Sequence, residues 1–169
     1  GETAPAVVAP DKIPTFGVEY KETFLSLHLN RPLLGQRVWE LLAMVGKERG
    51  IVDKDLFGVG SAAPVVLHTA ILREHVRSVT IEGGLVSWDN VLRTPIHHNQ
   101  LSNVVPGVLK LYDLPDLAAA IAPRPLTIRN PVDAAGKPLT KEAAEEAYKG
   151  VRAAYKAAKA SEKFVLEVK

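Results

Sequence analysis

At 169 residues, with 47% hydrophobic and 24% charged side chains, the chain has the size and composition of one globular domain with a sizeable core. A net charge of +2, mixed in sign and with no basic block, argues against nucleic acid as a partner, and the lack of cysteine excludes disulfides, thiolate metal sites and a thiol nucleophile. No apolar run approaches the ~18 residues of a membrane-spanning helix, and no secretory apolar core is visible, so the chain reads as soluble, with no membrane partner, and either cytosolic or already processed.

Residues 1–15 are rich in Ala and Pro and lack periodicity, as expected of a linker or extended arm. The expected division is an arm over 1–22 and a domain over 23–169. Residues 17–31 fit either a short strand or a helical turn. From Leu33 the apolar residues Leu34, Val38, Leu41, Leu42 and Val45 recur at helical spacing, and Gly46 or Gly50 ends the run. Residues 55–59 read as a short buried strand. The next helix carries Pro64 in its first turn and is apolar on most sides. Residues 76–82 alternate as a strand does, closed by Gly83 and Gly84. Residues 85–105 are too long for a simple connection and read as a lid, an insertion or a binding loop. Asp113 can cap a short helix over 114–121, with Pro115 in its first turn. A strand follows over 126–129, then a loop at Asn130, Pro131, Val132 and Asp133. Thr140 can cap a long amphipathic helix, and residues 164–168 form a final strand.

This alternation predicts an α/β fold: a parallel sheet of about four strands, with right-handed crossovers and helices on both faces. Ligands of such sheets sit beyond the carboxyl ends of the strands. The turn over 58–63, the Gly83 loop and the Asp133 loop would gather there.

Several stretches together resemble the C-terminal half of an α/β-hydrolase, more closely the bacterial acetyl xylan esterase-like proteins. They are Asn30 to Val38 (NRPLLGQRV), the Gly58-Val59-Gly60-Ser61 turn, Tyr112 to Leu117 (YDLPDL), Ala122-Pro123-Arg124-Pro125-Leu126, and Asn130-Pro131-Val132-Asp133. The proline-flanked stretch around Arg124 is the most specific. The resemblance implies an eight-stranded sheet of which this chain supplies the second half, without the early strands and the oxyanion loop they carry. A sheet so truncated exposes an unpaired edge, which a second copy of the chain is expected to cover as a homodimer or higher homo-oligomer. Losing one oxyanion donor would cost about two to three orders of magnitude in rate. The implied substrates are small acyl esters or acetylated carbohydrates, with no cofactor and no metal.

In the nucleophile elbow, small–x–nucleophile–x–small, Gly58 as the first small residue places Gly60 at the nucleophile and Ala62 at the second small position. Ser61 is one residue late. Using it would force Val59 into the tight position, and its other reading is a helix cap. Asp133 matches the family's acid, whose role is to orient and stabilise an imidazole; its other reading is an Asx turn. The family histidine belongs after the last strand, where this chain has none. The substitutes are His97 and His98, whose other reading is plain exposure; as a lone pair they do not make a metal site. His68, on the elbow helix, reads as packed. Glu82 and Asp89 lie near the same rim, but nothing fixes the separation that glycosidase chemistry needs.

The same turn fits a second pattern. Gly58-x-Gly60-x-x-Ala63 matches the dinucleotide fingerprint, with Glu82 at the end of the next strand as the ribose-binding acid. Pro64 directly after the third small residue counts against it. Three functions therefore stand: an ester hydrolase with a non-standard triad, a noncatalytic domain of the same fold used in assembly or binding, and a dinucleotide-binding module.

Overall fold

The computed structural model describes residues 19–46 and 54–169; residues 1–18 of the expected arm lie outside them, and its residues 20–22 belong to the first helix. The first described elements are helices α1 (Tyr20–His28) and α2 (Leu33–Gly46), so the ambiguous segment before Asn30 is helical. Thr23 and Ser26 of α1 are buried at no cost in unmet hydrogen bonds, because their hydroxyls donate to the carbonyls of Glu19 and Thr23, each at 2.8 Å. Arg37 of α2 pairs with Glu19 and holds the two helices together. Leu34 and Val38 turn the apolar face of α2 into the core.

Four strands, β1 (Lys54–Val59), β2 (Val76–Glu82), β3 (Leu126–Arg129) and β4 (Phe164–Glu167), pair in parallel in the order β1-β2-β3-β4. Helix α3 (Ala63–Leu72) joins β1 to β2. Helices α4 (Trp88–Arg93) and α5 (Leu114–Ala120) lie between β2 and β3. Helices α6 (Lys141–Ala147) and α7 (Lys149–Ala157) lie between β3 and β4. The expected parallel four-stranded α/β sheet is therefore present. The expected single helix after Thr140 divides at Tyr148, whose φ of −102° and ψ of 15° leave the helical region.

The expectation of helices on both faces needs correction. When each strand adds on the same side of the last and every crossover is right-handed, all crossover helices fall on one face; only a reversal of strand order sends a helix to the other. Burial follows this rule. Val79, Ile81, Leu126, Ile128 and Phe164 are buried on the helical face. Their opposite-facing neighbours Phe57, Val59, Thr80, Thr127 and Val165 are exposed or half-buried. Among the described residues that second face has no helical layer, and β1 has no strand on its outer side.

The proline-flanked Arg124 works at the opposite end of the sheet from the site. Its guanidinium donates to the carbonyls of Arg73 and Val76, both at 3.1 Å, and its own carbonyl accepts the Tyr155 hydroxyl at 2.6 Å. These bonds tie the amino end of β2 to the loop before β3 and to α7. Burial pushes the Tyr155 hydroxyl pKa upward, so it stays a donor.

Candidate functional site at the carboxyl rim of the sheet

Strand β1 ends at Val59. The chain then passes through a 3-10 turn over Gly60–Ala62 into α3. Gly60 has φ +54°, the left-handed conformation of a tight strand-to-helix corner. A Cβ built there would meet nothing within 4 Å. The corner that carries the nucleophile in an elbow is thus sterically open and is occupied by glycine.

Ser61 sits one residue beyond the corner, half-buried, inside the 3-10 turn. The N-cap of α3 is Ala62, and no side chain caps this helix. Pro64 occupies its first turn, as read from the sequence.

The Asp133 loop reaches the same rim. Val132 donates from its N–H to the Gly84 carbonyl at 2.9 Å and accepts the Val86 N–H at 2.9 Å. Gly84 in turn lies against Ala63 of α3. The glycine corner, the Gly83-Gly84 turn and the acid loop are therefore joined into one surface. Within it, the Asp133 carboxylate accepts the Lys137 N–H at 2.8 Å, while the backbone N–H groups of Asp133 and Gly136 close the turn onto Lys137 and Asp133 carbonyls. The carboxylate thus reaches the N–H four residues on and closes the loop over 133–137, whereas an Asx turn would reach two residues on.

The histidine segment is brought to this loop by its backbone. The His98 N–H donates to the Ala134 carbonyl at 2.8 Å, and the Ala134 N–H donates to the Asn90 side-chain oxygen at 2.7 Å. His97 is half-buried, and its Nδ1 is buried with no hydrogen-bond partner among the described residues. The side chain of His98 is exposed. No hydrogen bond joins the side chains of Ser61, Asp133, His97 and His98 among the described residues. Glu82, at the end of β2, accepts from Asn130 Nδ2 at 2.9 Å, and Asp89 pairs with Arg93 on α4. No group of three or more His, Asp, Glu or Cys able to hold a metal ion occurs among the described residues.

Two features of the 85–112 segment are absent from the sequence reading. The first is a polar contact inside the apolar layer. His68 Nδ1 lies 2.6 Å from the Pro64 carbonyl, and its Nε2 lies 3.0 Å from the Tyr112 hydroxyl, with the Trp88 ring alongside. The carbonyl can only accept, so Nδ1 carries the proton and Nε2 accepts from Tyr112. Burial lowers the His68 pKa, only partly countered by the Pro64 bond. The second is an apolar groove of about 400 Å³ between α4 and the segment 104–110. Its residues follow neither helical nor strand periodicity, which is why spacing gives no sign of it.

No protein-family model and no curated protein matches the chain. Among solved structures, the chain is similar to a crystal structure from Bacteroides fragilis whose description gives acetyl xylan esterase as a provisional assignment. The TM-score is 0.68 and the identity 14%, over 89% of this chain. The chain spans 40% of that protein's length. The likeness is one of fold alone.

Proposed function

We propose that this chain is an esterase-like α/β domain that does not turn over esters and serves assembly or binding instead. The observation that carries the proposal is Gly60: the one position whose backbone has the conformation of the nucleophile corner carries no side chain. Two arrangements lend support. The Asp133 carboxylate is engaged by its own turn rather than by an imidazole. The outer edge of β1 is unpaired among the described residues, and the adjoining face of that strand carries Phe57 and Val59, 60% and 57% exposed, which favours association.

The test is hydrolysis of p-nitrophenyl acetate and of acetylated xylan by the purified chain and by Ser61→Ala. Equal, background rates for both proteins are the expected result. Saturable turnover by the wild type that Ser61→Ala abolishes would overturn the proposal.

A second reading rests on a specific feature. Ser61 begins the approach to α3 on the same rim as Asp133, with its hydroxyl in no hydrogen bond among the described residues. In that reading Ser61 attacks a small acyl ester and a histidine of the pair His97-His98 swings in as base, oriented by Asp133. The same experiment separates the two.

A further inference from the structure

The groove between α4 and the 3-10 turn over Val108–Lys110 belongs to no part of the elbow machinery. Its volume, about 400 Å³, falls within the range of small-molecule sites. Trp88, Val91, Val104, Val105 and Val108 supply apolar walls, and Lys110 is the single charged residue lining it.

The charge of Lys110 is not answered from nearby. It makes no ion pair among the described residues. Each acidic side chain of the flanking elements is committed elsewhere. Asp89 pairs with Arg93 at 2.5 Å. Asp113 accepts the N–H groups of Trp88, Asp89 and Leu114. Asp116 accepts the Asp113 N–H at 2.8 Å. An apolar trough with one unanswered cation among its lining residues complements a molecule with an apolar body and one negative end.

We propose that this groove binds an amphipathic monocarboxylate, with its alkyl chain along Trp88 and the valines and its carboxylate on Lys110 Nζ. A lone ammonium matches a single carboxylate; a phosphate group would call for more than one cation or for a guanidinium fork. The inference is independent of whether Gly60 disables the elbow, since the groove shares no residue with the turn over 58–63.

The protein has two tryptophans, Trp39 and Trp88. In Trp39→Phe, Trp88 is the only indole and reports on the groove directly. Titration of this protein with octanoate is expected to give a saturable shift of Trp88 emission. Lys110→Gln is expected to weaken binding about fivefold, the ratio set by ~1 kcal/mol for an exposed ion pair. Octylamine, with the same chain and the opposite charge, is expected to bind more weakly than octanoate. Three outcomes would each overturn the proposal: no saturable response to octanoate, equal affinity for octylamine, or an affinity for octanoate unchanged in Lys110→Gln. If octanoate fails and Leu92→Glu instead breaks a self-association seen by light scattering, the groove is a protein interface and the proposal fails.

Discussion

Gly84 approaches Ala63 so closely that a Cβ on Gly84 would stand 2.6 Å from the Ala63 Cβ, and 2.7 Å from Ile81 Cγ2. That contact seats the start of α3 on the turn after β2. The Gly84 carbonyl extends it to the acid loop through Val132. Neither neighbour can move aside cheaply, since one is a helical methyl and the other a β-branched side chain in the core. Gly84→Ala is therefore expected to lower stability by about 1–3 kcal/mol, as overpacking does. Adding Ala63→Gly should restore part of the loss. Urea denaturation of the wild type and the two variants measures both.

Asp113 holds two helix starts with one carboxylate. It accepts from Trp88 N at 2.7 Å, from Asp89 N at 3.2 Å and from Leu114 N at 2.6 Å, and it forms a capping box with Asp116. Removing it unmakes a cap and leaves donors of α4 unpaired. Asp113→Ala should cost about 2 kcal/mol or more. Asp113→Asn, which retains one acceptor oxygen, should cost less. Thermal melts of both variants test the ranking.

His68 sets an acid-side dependence of stability. Its folded pKa lies below the ordinary 6.5 because burial disfavours the charged ring. The unfolded chain therefore binds more protons in the interval between the two values, and stability falls as pH drops below about 6.5. Unfolding free energies measured across this range should show the decline, and His68→Gln should flatten it. An unchanged slope in the variant would assign the decline to other groups.

β1 is an edge among the described residues, and its last four residues, Leu56-Phe57-Gly58-Val59, hold no charge and no proline to discourage pairing. A second copy can add antiparallel across a local two-fold axis. With Phe57 facing Phe57 of the partner, Leu56 faces Gly58, each pair on one face. The protein contains no native cysteine. Phe57→Cys should form a disulfide-linked dimer under mild oxidation, and Val165→Cys on β4 should not. Equal cross-linking at both positions, or none at either, would rule out this register.

The fold was largely readable in the sequence because β2 and β3 are short and bounded by glycine or proline, and α3, α5 and α6 each carry a cap or an N-terminal proline. β2, β3 and the start of α5 fall where alternation, Pro125 and Asp113 place them. The one-sided sheet was not read, although it follows from strand order: burial of Thr80 and Thr127 depends on what lies across the sheet, which no local pattern encodes. The corner was readable to the residue, since the elbow register alone puts Gly60 where φ is +54°. The His68–Tyr112 contact and the groove beside Trp88 were not, because their members are separated by tens of residues and meet only through packing.

The central claim is that the strand-to-helix corner carries no working nucleophile. Intact-mass spectrometry after incubation with a serine-reactive alkyl fluorophosphonate tests it most directly, since the reagent phosphonylates an activated hydroxyl irrespective of the natural substrate. The expected result is no adduct on either protein, the wild type and Ser61→Ala each keeping its own unmodified mass. A stoichiometric adduct mapped to Ser61, and absent from Ser61→Ala, would contradict it.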